Sequence, residues 1–317
     1  MSERPVVRVA AAILHRGDGR VLLARRLPGT PYAGYWEFPG GKLEPGESPH
    51  DALLRELGEE LGIAVTRAVP WLTRSYAYAH AHVELAFFRV FEWRGEPHGR
   101  DGQAIAWQEP DRIEVAPLLP ANAPVLRALA LPPVYAISMA EDLGDEAFLS
   151  RARAAIDAGL RLIQLREKSF APQRLRALGE RLLALAAPRG VRVLLNGDAG
   201  TARRLGFAGV HWTAARLNAA RRRPDDMLCA ASAHDAAELA KAAALGVDFA
   251  VLGPVAETPL HPAARPLGWE EFAGIVHGSP LPVYALGGLA RVDLETALAH
   301  GAHGVALRRA AWPAPSA

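Results

Sequence analysis

Three glutamates, Glu56, Glu59 and Glu60, stand at i, i+3 and i+4 in a stretch with helical periodicity. That spacing puts all three carboxylates on one face of a helix. Like charges so close repel, and a divalent cation turns the repulsion into attraction. Magnesium suits such a set: it prefers hard oxygen ligands, keeps several waters and bridges one or two carboxylates to substrate phosphates. Just upstream, Pro39-Gly40-Gly41 lets the backbone turn sharply and approach a ligand, so that the Gly40 carbonyl can face the same ion. Glu47 and Arg55 fit an ion pair that holds the loop on the helix. Taken alone, the three glutamates read more simply as a solvated acidic face, and the surrounding pattern has to decide.

The helix that must carry them runs over Pro49–Leu61, with Ala52, Leu53, Leu57 and Leu61 as its apolar stripe. Val6–Leu14 and Arg20–Arg26 read as strands around the turn Arg16-Gly17-Asp18-Gly19, and Trp71–Trp93 holds two more β-like stretches. A short helix is expected over Ala123–Ala130, which completes an α+β plan. Leu131-Pro132-Pro133 then breaks the pattern. Beyond it, eight short buried strands recur between amphipathic helices such as Asp145–Ala158 and Gln173–Ala187. The strands are Val134–Ser138, Leu162–Glu167, Val191–Asn196, Gly209–Trp212, Leu228–Ser232, Phe249–Gly253, Val283–Gly287 and Gly304–Arg308. Eight such repeats fit a small TIM (β/α)8 barrel, with an open doubly wound sheet as the alternative. The expected organisation is an α/β chain of two domains, 1–132 and 133–317.

A length of 317 residues agrees with two domains, and 50% hydrophobic with 22% charged residues suits globular cores. A net charge of +2 is too small to argue for a nucleic-acid or membrane surface. The lone Cys229 excludes an internal disulfide and reads as a small buried hydrophobe. No signal peptide or membrane-length apolar run is visible, so a cytoplasmic location is expected.

The stretch Gly41–Ile63, GKLEPGESPHDALLRELGEELGI, matches every fixed position of G-x5-E-x7-R-E-U-x-E-E-x-G-U, where U is aliphatic. In this it resembles the Nudix hydrolases, and residues 1–130 resemble the MutT (8-oxo-dGTP diphosphatase) type. The resemblance implies a magnesium site, with manganese as the alternative ion, built from Gly40, Glu56, Glu59, Glu60 and Asp101. Asp101 lies in Gly99-Arg100-Asp101-Gly102-Gln103, where the family has a glutamate. Glu56, Glu59 and Glu60 become the catalytic carboxylates, and Glu56 the candidate base for a water that attacks a diphosphate phosphorus. Substrate contacts are implied for Arg26, for Glu37-Phe38-Pro39-Gly40, and for Asn122 in Leu119-Pro120-Ala121-Asn122. A carboxamide can pair with the O6 and N7–H pattern that marks 8-oxoguanine, although Asn122 also reads as the N-cap of the helix that follows. One departure is His80-Ala81-His82 in place of the family's Asp-Arg-His, and alternate histidines without a third ligand make a poor metal site.

Residues 134–312 resemble thiamine-phosphate synthase and its relative TenI, a TIM-barrel family. Gln164, Arg166 and Lys168 match its Q-x-R-x-K, and Gly287 and Gly288 fall where late strands bind phosphate, so a phosphorylated ligand is implied there. The metal-binding Asn-Asp of that family appears as Asn196-Gly197 with Asp198 displaced, and its second aspartate is missing from Thr213-Ala214-Ala215. His261 replaces an expected lysine, and Arg308 stands in a region that is usually small and apolar. These losses make the barrel a degenerate synthase.

The reaction implied for the whole is hydrolysis of a small nucleotide, 8-oxo-dGTP, to the monophosphate and pyrophosphate, which keeps oxidised purines out of DNA and prevents mutation. Three alternatives stand beside it: hydrolysis of damaged thiamine pyrophosphate analogues, a barrel that senses thiamine phosphates, and residual thiamine-phosphate synthesis.

Overall fold

A computed structural model describes residues 6–78, 81–258 and 265–313. Residues up to Ala130 together with His277–Pro280 make one compact unit, and Leu131–Val276 with the chain from Leu281 make the second. No helix among the described residues is long and apolar enough to cross a membrane.

In the first unit the apolar run Val6–Leu14 forms β1, whose second half is wholly buried. It lies between β4 (Gly40–Lys42) and β6 (His82–Arg94) in a four-stranded sheet, order β4-β1-β6-β5, with β5 spanning Ala64–Ala77. A smaller sheet joins β3 (Trp36–Glu37), β2 (Val21–Arg25) and β7 (Ile105–Gln108). The helix α1, Pro49–Leu61, has the expected bounds. Its start is set by Ser48, whose hydroxyl accepts from the Asp51 N–H, with proline in the first turn, and its end by Gly62 in the left-handed region at φ 67°. Ala52, Leu53, Leu57 and Leu61 are fully buried against Ala10, Ala12, Leu14, Leu22 and Phe88. That packing leaves the glutamate face of α1 turned away from the core. The expected second helix is α2, Ala123–Leu129. The strands β3, β4 and β7 were not foreseen. They are two to four residues long, and β4 is mostly glycine, too short for any period to register.

The second unit is a closed barrel of eight parallel strands. In chain order they are β8 (Val134–Ile137), β9 (Leu162–Leu165), β10 (Arg192–Leu195), β11 (Gly209–Trp212), β12 (Leu228–Ala233), β13 (Phe249–Leu252), β14 (Val283–Leu286) and β15 (Gly304–Leu307). All eight expected strands are present, and closure between β15 and β8 excludes the open sheet. Tyr135, Phe249 and Tyr284 fill the barrel interior with Leu162, Leu194 and Val251. A larger apolar layer, including Phe148, Phe272 and Trp312, lies between strands and helices. Cys229 on β12 is buried in that layer, and burial pushes its thiol up to about 12.

Candidate functional site

The β4 turn and the α1 face meet at two glycines. Gly40 has φ 137°, and a β-carbon on it would overlap the Ala10 carbonyl oxygen. A β-carbon on Gly41 would overlap the Glu56 carboxyl group. Only glycine at 40 lets β4 pass so close to the β1 backbone, whereas a side chain at 41 would push the Glu56 carboxyl group aside. The Gly40 N–H donates to Glu60 Oε2 at 3.3 Å. The loop over residues 99–103 is laced onto the end of α1: Gln103 Nε2 and the Arg100 N–H both donate to the Glu60 carbonyl, each at 3.0 Å. Gln103 Oε1 accepts from the Asp101 N–H at 3.0 Å. These bonds bring Asp101 beside Glu60.

Burial pushes the Glu60 carboxyl up to about 7, and the nearby carboxylates Glu56, Glu37 and Asp101 push the same way against the Gly40 hydrogen bond. Arg55 answers only the Glu56 end of this acidic cluster: Nη1 meets Glu56 at 3.0 Å, while Nε and Nη2 hold both Glu47 oxygens at 2.9 Å and Nη2 donates to the Lys42 carbonyl at 3.0 Å. The Glu47–Arg55 pair thus clamps the loop to the helix, as its spacing implied. Arg55 Nη1 also reaches Glu59 at 3.3 Å, and Glu59 is 64% exposed on the solvent side of the turn. Among the described residues no three His, Cys, Asp or Glu side chains converge on one position. The donor set fits magnesium all the same, because Glu56, Glu60, Asp101 and the Gly40 carbonyl offer hard oxygens, and that ion takes few protein ligands alongside phosphate oxygens.

A cleft of about 380 Å³ opens above this cluster, a size in the small-ligand range. Arg26, Glu37, Pro39, Gly40, Glu60 and Asp101 line it. Arg26 Nη1 donates to Glu37 Oε1 at 2.5 Å and Nε to the Pro31 carbonyl at 2.7 Å, which fixes the guanidinium at the cleft wall. Burial raises the Glu37 carboxyl despite this pair. Two expected contacts do not line the cleft. Phe38 is 3% exposed and packs edge-on against Phe87 at 6.0 Å. Asn122, 2% exposed, lies beneath the surface with Nδ2 at 3.5 Å from the Trp36 carbonyl. It stands at the N-cap position of α2, as its alternative reading had it, but its side chain forms no capping hydrogen bond there. His82 opens β6 and His80 lies outside the described residues. Sequence reasoning missed Gln103 as the brace of Asp101, and Tyr32 and Tyr78, which line the cleft with ring centroids 5.3 Å apart. An uncharged glutamine and loop tyrosines carry no spacing signal.

The barrel has a second opening at the C-terminal strand ends, where Gln164, Arg166, Gly287 and Gly288 are brought together, whereas Lys168 is not among the lining residues. Asp198 caps a helix by accepting from the Thr201 N–H at 2.8 Å, Thr213 caps the next helix, and His261 lies outside the described residues.

Known proteins resemble the two units separately. The NUDIX domain model matches residues 5–129, and the thiamine monophosphate synthase model matches residues 134–311. An 8-oxo-dGTP diphosphatase of Haemophilus influenzae is 38% identical over 40% of this chain and 93% of its own. A CTP pyrophosphohydrolase of Escherichia coli is 39% identical over 39% of this chain and 90% of its own. A thiamine-phosphate synthase of Thermus thermophilus is 36% identical over 54% of this chain and 84% of its own. With a complete Nudix box over β4 and α1 in one unit and a closed parallel barrel in the other, the chain is a pyrophosphohydrolase that belongs to the Nudix family through its first unit and to the thiamine monophosphate synthase family through its second.

Proposed function

We propose that the first unit hydrolyses 8-oxo-dGTP to 8-oxo-dGMP and pyrophosphate with magnesium. The observation that carries this reading is the carboxylate cluster around the half-buried Glu60 at the base of a cleft walled by Arg26. Glu56, Glu60, Asp101 and the Gly40 carbonyl would hold the metal, and Glu59 would join them only by leaving its contact with Arg55. When bound, magnesium supplies charge neutralisation at the phosphate oxygens and acidifies a water. Glu56 takes the proton of the attacking water as its oxygen bonds to phosphorus, and the P–O bond to pyrophosphate breaks. Arg26, steadied by Glu37, donates to the nucleotide. Asn122, which lies beneath the cleft surface, reads the base once nucleotide binding uncovers it, and its 3.5 Å contact with the Trp36 carbonyl exchanges for O6 and N7–H of 8-oxoguanine.

Replacement of Asn122 by alanine lowers kcat/KM for 8-oxo-dGTP and spares dGTP, which a steady-state comparison measures. Equal turnover of the two nucleotides by both proteins would end the base-readout assignment. The CTP pyrophosphohydrolase relative, at 39% identity, makes CTP the necessary third substrate in that panel. The fusion to a thiamine monophosphate synthase barrel supports a second reading, hydrolysis of damaged thiamine pyrophosphate analogues. Higher specificity constants for such analogues than for any nucleotide would favour it. The barrel itself we assign to a phosphorylated ligand, held at its mouth by Gln164, Arg166, Gly287 and Gly288, with Lys168 nearby.

A further inference from the structure

A cavity of about 560 Å³ opens at the C-terminal ends of the barrel strands. Arg308, next after β15, lines it with its side chain only 12% exposed. Nη2 engages Asp142 at 2.5 Å, but Nε and Nη1 are buried without a hydrogen-bond partner. Two unsatisfied donors on a buried cation are expensive and call for an acceptor that arrives from elsewhere. Arg166 faces the same cavity, and its guanidinium is held below its ordinary range by burial and by the charge of Arg308. Two guanidinium groups share this half-buried wall, and the Asp142 carboxylate pairs with one of them through Nη2 alone, so positive charge is in excess here.

The cavity floor has the same polarity. Gln164 Nε2 donates to the Tyr135 hydroxyl oxygen at 3.1 Å, so the hydroxyl hydrogen turns to His211 Nδ1 at 3.1 Å. That leaves His211 Nε2–H to donate to Ser232 Oγ at 2.8 Å, and Ser232, which lines the cavity, keeps its own hydroxyl hydrogen to donate to a ligand. His211 stays neutral in this chain, since burial pushes it down to about 3. The floor and wall thus present donors. Among the described residues the one carboxylate that lines the cavity is the exposed Glu257.

A divalent cation does not fit this donor set. Asp198 is spent on its helix cap and Asp142 on Arg308, and among the described residues no acidic cluster forms here. We propose that Arg308, with Arg166 and the Ser232 hydroxyl, takes the charge of a phosphate or diphosphate group directly, so that the barrel binds its phosphorylated ligand without metal. The proposal rests on the reading of the barrel mouth as a phosphate site and adds to it the replacement of a cation by a guanidinium, which is a bidentate phosphate partner.

Calorimetric titration of inorganic pyrophosphate into the full chain tests this, with Glu60→Gln as background so that the hydrolase metal set is silent. The expected result is binding in EDTA with an affinity unchanged by added magnesium beyond complexation of the ligand, and weakened about tenfold or more by Arg308→Met, as loss of a bidentate charged pair implies. Arg166→Met, on the more open wall, is expected to weaken it as well and serves if the Arg308 variant does not fold. Binding that requires magnesium overturns the proposal and leaves the phosphate reading intact. Binding in EDTA that neither arginine variant weakens also overturns it. Absence of binding in both media overturns the two together.

Discussion

At the scale of single residues, both openings are defined by unbalanced charge, negative around Glu60 and positive around Arg308. If Glu56 is the base, Glu56→Gln lowers kcat by on the order of 10²–10⁴-fold with KM changed far less, since a proton acceptor acts in the transition state. A variant that keeps its full kcat would move the base elsewhere in the box. His211 gives a prediction with a sign. Its pKa falls from 6.5 to about 3 in the folded chain, so the unfolded state binds the extra proton between those values. Stability is therefore unaffected above pH 6.5 and is lost as pH falls toward 3, by roughly 1.4 kcal/mol per unit. Nitrogen-15 NMR would show the neutral Nε2–H tautomer of His211 unchanged between pH 8 and 5, and titration in that range would contradict the network. Spacing alone was enough to find Glu56, Glu59 and Glu60. It could not reveal that Asn122 lies buried against the Trp36 carbonyl, because that contact joins positions 86 residues apart.

The elements explain why the cluster forms. Helix α1 was legible to the residue because three local signals agree: Ser48 with proline at the start, an apolar stripe, and Gly62 at the end. Replacing Ser48 by alanine removes the cap and costs about 0.5–2 kcal/mol, to be read from urea unfolding. Gly41 makes a sharper test. A β-carbon there meets the Glu56 carboxyl group, so Gly41→Ala displaces that side chain from the β4 turn. Hydrolysis falls steeply while the circular dichroism spectrum is kept; full activity would show that the close approach is not needed. The short strands β3, β4 and β7 were illegible because their place is fixed by pairing partners, as Gly40 opposite Ala11 shows. In the barrel the same logic favours the reader, since each strand is a buried apolar run and the unit repeats eight times.

On the scale of the whole molecule, the two units have cores with no residue in common. Ligands specific to each unit should stabilise them separately by mass action. In scanning calorimetry, magnesium with a non-hydrolysable dGTP analogue raises one transition, and pyrophosphate in EDTA raises the other. One transition that both ligands move alike would refute this. The solitary thiol offers a way to tell the two apart. Cys229 sits on β12 under the helical layer, shielded and protonated at neutral pH. An alkylating reagent can reach it only when the barrel comes apart, and nothing in the hydrolase half can answer in its stead. The chain therefore carries a natural clock for the lifetime of one half, readable by mass as a single added label with no engineered probe.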